Sequence, residues 1–447
     1  MKQDDLKQPD LKQLGVGIMG LGTVGGGTYA VLTRNAAEIT RRTGVNINVL
    51  MVADRNIEQA KNITGGSVTV TGDAFEVVNN PAIDVVVELI GGYTLSKELV
   101  LKAIANGKHV VTANKALLAV HGNEIFSAAQ KAGVIVAFEA AVAGGIPIIK
   151  AMREGLGANK IEWVAGIING TTNFILTEMR EKGLTYQDVI GEAQRLGYAE
   201  ADPTFDVEGI DAAHKLTIMS AIAFGMPMKF EQAYTEGITK LAQTDIKYAE
   251  ELGYRIKLLG ITKRTAKGVE LRVHPTLIPE KRLVANVNGA MNAVVVKGDA
   301  VGPTLYYGAG AGAEPTGSAV VADLMDVARL ANASAEQRVP YLAFQPNSVA
   351  DLPVLPITEV ETAYYLRLRA SDKPGVLAGV TKILADRDIS IDAMLQKEPD
   401  DTETEADIVI LTHVTIEKNM NAAIEAIEAL PATVGKVTRI RMEALAK

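Results

Sequence analysis

The chain has 447 residues, of which 48% are hydrophobic, and at roughly 150 residues per domain this length predicts about three domains. The formal charge of -8 argues against a dominant nucleic-acid interface, which requires a basic stripe or domain. Because cysteine is absent, disulfides, thiolate zinc sites and a catalytic thiol are excluded, and a cytoplasmic location is expected. No secretory signal is visible, and the uncharged run 216–228 is too short to cross a bilayer, so we expect no membrane partner.

Four segments follow from the pattern of the chain. Apolar runs alternate with helical patterns over residues 1–140, which predicts an α/β domain with a Rossmann-like, doubly wound parallel sheet. Residues 141–345 mix strands with longer helices and predict an α+β substrate-binding and dimerisation domain. Three prolines predict a linker over residues 346–359. Residues 360–447 follow the order βαββαβ of a ferredoxin-like module.

A glycine-rich loop after the first strand predicts a dinucleotide site. In its GxGxxG frame, Gly20, Gly22 and Gly25 would provide a tight turn, close approach to a diphosphate and close helix packing. Asp54 ends the second strand and could bind the adenosine ribose, whereas Arg55 could face a 2′-phosphate, so NAD and NADP both remain open. A purely structural glycine turn is the alternative. The predicted cofactor-binding residues in this region are Gly20, Gly22, Thr23, Val24, Gly25, Asp54 and Arg55.

Two lysines carry candidate chemistry. Lys115 follows the fifth strand, at the carboxyl edge of the sheet where ligands of open α/β folds bind, although an ordinary lysine in a first helical turn is the alternative. Asp211 and Lys215 are four residues apart at the start of an apolar helix, so they can pair on one face. A buried lysine usually has a partner or a chemical role.

Five acidic residues lie within twelve positions just before Lys215. Such a group of carboxylates suits a substrate with an ammonium group, and a solvated acidic loop that caps the helix is the alternative. The five residues are Glu200, Asp202, Asp206, Glu208 and Asp211.

The segment around Asn169 predicts a polar turn. The strand is expected to break at Asn169 and Gly170, with Thr171 or Thr172 as the cap of a helix that begins near Asn173. This turn could hold a ligand or be a simple cap. The five histidines include no pair at i and i+4, so no zinc site is expected.

Together these residues resemble the homoserine dehydrogenase family. The segments GLGTVG, VTANK and NGTTNF and the glycine run that contains Gly312 agree with the family, so the resemblance covers about residues 12–340. The last module resembles an ACT domain, which implies the longer, regulated form of the enzyme, separate from aspartate kinase. The family signature before and at the second lysine matches at Ala193, Gly197, Asp202, Pro203, Asp206, Gly209, Asp211 and Lys215.

The resemblance implies NAD(P)-dependent interconversion of L-aspartate 4-semialdehyde and L-homoserine, a step of threonine and methionine biosynthesis. Lys215 would donate and accept the proton at the reacting oxygen, and Lys115 would lie beside that oxygen and the nicotinamide. Gly312 would lie against the cofactor. The residues implied to bind the substrate are Glu200, Asp206, Asp211, Tyr198 and Thr171.

The family also implies a monovalent cation, sodium or potassium, in the segment that follows the sixth strand. Its ligands map to Glu139 and to the backbone carbonyls of Val142, Gly144 and Ile146, and oxygen ligands of this kind suit a hard cation. A glycine-rich crossover between domains is the alternative. The ACT domain implies an amino-acid effector, with threonine as the expected end product, and a homodimer or homotetramer. A dimerisation module without ligand is the alternative.

Three other functions compete with this one. A phosphorylating aldehyde dehydrogenase needs a thiolate nucleophile, which a chain without cysteine lacks. A non-catalytic amino-acid sensor and a dehydrogenase of another small hydroxy substrate remain as alternatives.

Overall fold

The computed structural model describes residues 12–397 and 404–445. The N-terminal segment, in which no secretory signal is visible, lies outside the described residues up to residue 11. An acidic loop spans residues 400–407, and its first part, up to residue 403, also lies outside them. The described chain forms two compact units. The first contains the residues up to Ile161 together with Thr217–Phe230 and Tyr306–Asp351. The second contains Glu162–Leu216, Glu231–Leu305 and the residues from Leu352 onward.

The first unit is built on a parallel six-stranded sheet with the strand order β3-β2-β1-β4-β5-β6. This order confirms the Rossmann-like sheet that the alternating pattern predicts. The elements of this region are β1 (Lys12–Met19), α1 (Thr23–Arg34), α2 (Ala36–Thr43), β2 (Val45–Ala53), α3 (Ile57–Thr64), β3 (Thr69–Thr71), α4 (Ala74–Asn79), β4 (Val85–Glu88), α5 (Thr94–Ala105), β5 (His109–Thr112), α6 (Lys115–Ala132), β6 (Val136–Ala137) and α7 (Ile148–Lys150).

Longer strands and helices follow in the middle of the chain. They are β7 (Ile161–Ile167), α8 (Gly170–Lys182), α9 (Tyr186–Arg195), α10 (Thr204–Val207), α11 (Ile210–Phe224), β8 (Tyr234–Thr235), α12 (Gln243–Glu251), β9 (Tyr254–Arg264), β10 (Val269–Pro279), β11 (Met291–Gly298), β12 (Gly302–Ala309) and α13 (Ala313–Leu330).

The last part of the chain confirms the predicted βαββαβ order, with one short extra strand. Its elements are β13 (Glu361–Ser371), α14 (Val376–Ala385), β14 (Ile391–Gln396), β15 (Glu405–Thr412), β16 (Thr415–Ile416), α15 (Glu417–Glu428) and β17 (Thr433–Met442). Its own core contains Leu366 and Leu368 of β13, Val380 of α14 and Met420 of α15.

One sheet runs through both the substrate domain and the ferredoxin-like module. Its strand order is β12-β11-β7-β9-β10-β17-β13-β15-β14, with β8 beside β10 and β16 beside β13. The junction is a short parallel pairing of β10 with β17, at Thr276 with Arg441 and at Leu277 with Met442. The module is therefore hydrogen-bonded into the sheet of the substrate domain.

The proline-containing segment 346–359 contains no α-helix and no long strand. The part of this segment in the second unit, from Leu352 onward, runs alongside the start of β10. The N–H of Val269 donates to the carbonyl of Pro353 at 2.9 Å, and the N–H of Leu355 donates to the carbonyl of Val269 at 2.9 Å. These two bonds form one isolated parallel bridge, which attaches the segment to the start of β10 at Val354.

Helix α13 covers the parallel sheet of the first unit. Its side chains Val320, Leu324 and Val327 lie in the same core as Val16 and Val85 of the sheet. Helices α1 and α13 meet at glycines: a Cβ added to Gly27 would lie 2.0 Å from the carbonyl oxygen of Ala313, and one added to Gly317 would lie 2.7 Å from the backbone of Gly27. The two helices can approach this closely because neither glycine has a side chain.

We expect Gly27→Ala to destabilise the first unit, because the added methyl group meets backbone that cannot rotate away. The expected loss in the free energy of unfolding is ~1–3 kcal/mol, the usual range for overpacking. Gly26→Ala is the matched control, since its new Cβ would meet its nearest neighbour at 3.7 Å. It should gain roughly 0.5–1 kcal/mol from helix propensity. Urea unfolding of both variants checks the prediction, and equal stabilities would contradict it.

Candidate active site

The glycine loop has the geometry that its three tasks require. Gly20 adopts φ +92°, and a Cβ there would lie 2.7 Å from the carbonyl oxygen of Leu89. A Cβ on Gly25 would lie 2.1 Å from the carbonyl oxygen of Gly20, so α1 packs directly against the turn. Gly22 caps α1 and has open space where its Cβ would be, which leaves the N-terminus of the helix accessible to a diphosphate.

Asp54 lies beside this loop at the end of β2. One carboxylate oxygen accepts the backbone N–H of Leu21 at 2.6 Å, and the other accepts that of Asn56 at 2.7 Å. Arg55 is exposed directly after it. Asp54 therefore holds the glycine loop in place.

The carboxyl ends of β4 and β5 carry a second polar group, which includes residues that sequence reasoning missed. The fully buried Glu88 accepts the hydroxyl of Thr112 at 2.7 Å and the backbone N–H of Ile90 at 2.9 Å. Asn114 caps α6 by accepting the N–H of Leu117 at 3.0 Å. Lys115 is thereby placed in the first turn of α6, half-buried, at the edge where the strands end.

In the second unit, Lys215 lies buried on α11 between two acceptors. Its Nζ donates to Oδ2 of Asp211 at 2.7 Å and to the backbone carbonyl of Ile168 at 2.8 Å. Asp211 is 2% exposed and Lys215 is 9% exposed. The predicted pair therefore exists, and little solvent screens it.

Asn169 gathers the carboxylates around this lysine. Its Nδ2 donates to Asp206 at 2.7 Å and to Asp211 at 2.9 Å. Its Oδ1 accepts the backbone N–H of Thr172 at 2.8 Å, which makes Asn169 the cap of α8. The expectation of a threonine cap and a helix start near Asn173 is wrong, because asparagine supplies the acceptor three residues earlier and the helix begins at Gly170.

The remaining predicted substrate residues differ in how they join this cluster. Thr171 donates to Oδ2 of Asp206 at 3.3 Å and to the backbone carbonyl of Tyr198 at 2.7 Å. Tyr198 packs on Phe174 with ring centroids 4.6 Å apart. Glu200 is exposed, and its backbone carbonyl accepts from Gln194.

The predicted cation segment forms a tight loop in the first unit. The buried Glu139 accepts the backbone N–H groups of Ile149 and Lys150, each at 2.8 Å. Burial raises the pKa of Glu139, and the hydrogen bonds from those two amides oppose the shift. Gly144 adopts φ +52°. Within the described residues, no group of three or more acidic, histidine or cysteine side chains could hold a metal.

Gly312, expected beside the cofactor, is the N-cap of α13. It is exposed and adopts φ +127°, in the region that favours glycine. Its carbonyl oxygen accepts the backbone N–H of Thr316 at 3.2 Å. The glycine run therefore makes the turn from which α13 begins, in the same unit as the glycine loop.

Lys257 on β9 is a buried lysine that the sequence pattern does not reveal. Its Nζ donates to the carbonyl of Val287 at 2.6 Å, to Oδ1 of Asn173 at 3.1 Å and to Oδ1 of Asn288 at 3.3 Å. All three acceptors are neutral. Burial, reinforced by the charges of Arg180 and Arg255, lowers the pKa of Lys257 to about 7.

The glycine loop on a parallel sheet and the buried lysine with its carboxylates define the class: this is an NAD(P)-dependent oxidoreductase acting on a CH–OH group. Three family models match the chain: homoserine dehydrogenase, NAD binding domain, over residues 20–139; homoserine dehydrogenase over 147–325; and ACT domain over 364–432.

Known proteins agree with these matches. A homoserine dehydrogenase of Pseudomonas aeruginosa is 64% identical over 418 residues, covering 94% of this chain and 96% of its own length. The crystal structure of a homoserine dehydrogenase from Thiobacillus denitrificans is 68% identical with a TM-score of 0.93, covering 97% of this chain and 99% of that one. A hyperthermophilic archaeal homoserine dehydrogenase in complex with NADPH is 27% identical with a TM-score of 0.62, covering 72% of this chain and 99% of its own.

The chain belongs to the homoserine dehydrogenase family. It interconverts L-aspartate 4-semialdehyde and L-homoserine with NAD(P), and its ACT domain indicates regulation by an amino acid. None of the described helices is long and apolar enough to cross a membrane.

We expect the burial of Lys257 to make stability depend on pH. The pKa rises from about 7 in the folded chain to ~10.4 in the unfolded chain. The neutral Lys257 therefore contributes its full stability when the pH is above the pKa of the unfolded chain. That stability is lost as the pH falls through the pKa of the folded chain. Relative to Lys257→Met, the parent should gain up to ~1.4 kcal/mol in free energy of unfolding per pH unit as the pH rises through this window.

Urea unfolding of both proteins between the two pKa values measures this difference. Lys263→Met, at the exposed end of the same strand, is the control and should follow the parent at every pH. A stability difference between Lys257→Met and the parent that does not change with pH would show that Lys257 keeps its ordinary pKa in the folded chain.

Proposed function

We propose that Lys215 is the proton donor and acceptor of the reaction. The observation that supports this role is its place between Asp211 and the carbonyl of Ile168, in a buried setting that keeps an ammonium group hydrogen-bonded and oriented. When NAD(P) is bound, it supplies or accepts the hydride. In the reductive direction the aldehyde oxygen becomes an alkoxide, and Lys215 donates the proton that makes the hydroxyl of homoserine. In the reverse direction Lys215 removes that proton.

Asp206 and Asp211 are proposed to bind the amino acid. Asn169 draws both carboxylates toward Lys215, so negative charge is available to the ammonium group of the substrate as well as to the lysine. Thr171 orients Asp206 from the other side. Glu200 is proposed to bind the amino acid together with these two acids, and Tyr198 and Thr171 would complete the pocket as lesser contacts.

The cofactor is proposed to bind along the carboxyl edge of the first unit. Its diphosphate would lie on the N-terminus of α1, against Gly20, Gly22, Thr23, Val24 and Gly25. Asp54 would bind the adenosine ribose, which favours NAD, while Arg55 offers a charge to the 2′-phosphate of NADP. Lys115 would lie beside the nicotinamide and the reacting oxygen, and Gly312 against the cofactor.

A sodium or potassium ion is proposed to bind in the segment that follows β6. The donors there are the buried carboxylate of Glu139 and the carbonyl oxygens of Val142, Gly144 and Ile146, and an all-oxygen set suits a hard cation. We propose this cation site because the family resemblance implies it.

We propose that the chain divides into segments at residues 1–140, 141–345, 346–359 and 360–447, as its sequence predicts. The three family matches lie inside the first, second and fourth of these segments. We further propose a cytoplasmic homodimer or homotetramer, and sedimentation of the purified chain would measure the size of the assembly.

We expect Lys215→Ala to lower kcat by roughly 10²- to 10⁴-fold, the usual range for a positioned acid or base. The KM for the cofactor should be nearly unchanged, because the residues proposed to bind it lie on other elements. Initial rates of homoserine oxidation with NAD and with NADP check both values and also establish which cofactor the parent prefers.

Lys229→Ala, at an exposed ion pair with Asp351, is the control and should keep the parental kcat. Thermal unfolding of the Lys215 variant separates lost chemistry from lost structure. A folded Lys215→Ala enzyme with the parental rate would overturn the assignment.

The effector of the ACT domain is proposed to be L-threonine. A cleft of about 430 Å³ lies at the turn between β13 and α14, lined by Ser371, Asp372, Lys373, Gly375 and Gln396 among others. Gly375 adopts φ +91° and caps α14. The side chain of Asp372 and the backbone of this turn can bind the charged ends of an amino acid.

We expect threonine to bind the full chain in calorimetry and to inhibit homoserine oxidation. Coupling between two such sites is usually worth about 1–3 kcal/mol, or roughly 5- to 150-fold in affinity. Asp372→Asn should weaken both effects, whereas Asp386→Asn, at the other end of α14, should leave them intact. If millimolar threonine neither binds nor inhibits, the module has a purely structural role.

A further inference from the structure

Two short stretches of chain share one edge of β10. Strand β8 pairs with β10 at Arg272 and Val273, and β17 of the ACT domain pairs with it at Thr276 and Leu277. The residues that follow β8 and the residues of β17 therefore meet along the same side of one strand. Glu236 directly follows β8, and Arg441 is in β17.

Arg441 joins the two parts through a nearly fully buried guanidinium group. It makes two hydrogen bonds to Glu417 of the ACT domain, at 2.7 and 2.6 Å, and one to Oε2 of Glu236 at 2.8 Å. Tyr234 donates to the same oxygen of Glu236 at 2.8 Å. Burial alone would raise the pKa of Glu236, but the charge and hydrogen bond of Arg441 hold that pKa below its usual value. The pair is therefore ionised at neutral pH.

The residues after Glu236 pack on the segment that carries the active-site carboxylates. The backbone N–H of Ile238 donates to the carbonyl of Val207 at 2.9 Å, and Thr239 donates to Oε1 of Glu208 at 2.8 Å. A Cβ on Gly237 would lie 2.4 Å from the carbonyl oxygen of Val207, so the two backbones are in direct contact.

That segment in turn sets the position of Asp206. The backbone N–H of Gly209 donates to the carbonyl of Asp206 at 3.0 Å, and Gly209 adopts φ +82° beside Val273 of β10. Asp206 then presents its carboxylate to Asn169. A continuous set of contacts thus leads from Arg441 of the ACT domain to Asp206. Asn169 joins Asp206 to Asp211, which is the partner of Lys215.

We propose that Glu236 is a positioning residue for substrate binding, and that Arg441 of the ACT domain sets its orientation. The ACT domain is then part of the scaffold of the active site, whether or not an effector is bound. This inference rests on the proposed role of Asp206 in binding the amino acid.

The test is a pair of variants and their combination in the full chain. Glu236→Gln keeps the shape and removes the charge, and Arg441→Lys keeps the charge and removes the forked contact. Each should raise the KM for homoserine by roughly 3- to 100-fold, the range for residues in direct contact, with the KM for NAD(P) unchanged. Because the two side chains act through one contact, the double variant should lose much less than the product of the single losses.

Glu231→Gln, exposed a few residues earlier, is the matched control and should retain parental kinetics. Should Arg441→Lys not fold, Thr239→Val replaces it, since it breaks the bond to Glu208 without touching the ACT domain and should raise the same KM. A folded Glu236→Gln enzyme with the parental KM for homoserine would overturn the proposal, even if its melting temperature fell.

The result is distinguishable from failure of the proposed function. The proposed role of Asp206 fails if Asp206→Asn keeps the parental KM for homoserine, whereas the positioning role is measured as the KM for homoserine in enzymes that keep Asp206. Multiplicative losses in the double variant would also overturn the proposal, because they would show that Glu236 and Arg441 act independently.

Discussion

A buried ammonium group has to be matched by acceptors in fixed positions, and Lys215 imposes this constraint on the second unit. Asp211 supplies the charge from the same helix, and the end of β7 supplies a carbonyl. The carboxylates would repel one another if they were held together without donors. The amide nitrogen of Asn169 donates to Asp206 and Asp211, and its amide oxygen caps α8. One side chain therefore connects the start of this helix with both carboxylates.

Much of this arrangement could be predicted from the sequence because it depends on local spacing. Glycines at fixed offsets after a strand predict the dinucleotide loop, and Asp211 and Lys215 four residues apart predict a pair on one helix face. The alternation of strands and helices predicts both the parallel sheet and the ferredoxin-like module. The glycine loop and the lysine pair are each encoded in a short stretch of sequence, and the sheet and the module follow from the order of neighbouring elements, so local backbone geometry decides much of the arrangement.

Contacts between distant segments were not predictable in this way. The sequence favours a threonine cap over Asn169 because asparagine and threonine side chains can both accept a backbone N–H, and only the folded backbone shows which of them precedes the first helical residue. Lys257 looks like one of many lysines on a strand, yet it is buried against Asn173. The glycine contact between α1 and α13 and the ion pair of Glu236 with Arg441 join residues that are hundreds of positions apart, so no local pattern reveals them.

The pairing of β17 with β10 has a consequence for how the chain is made. The buried Arg272 of β10 pairs with Glu270 on its own strand and with Glu443, 171 residues later, and β17 is the last strand described. On the ribosome, β10 is therefore synthesised long before β17, and the part of its edge at Thr276 and Leu277, which β8 does not cover, stays unpaired in the meantime. Long-range pairing of this kind slows folding and invites association with other chains. The sheet that contains β10 is therefore complete only after the C-terminal ACT domain has been translated.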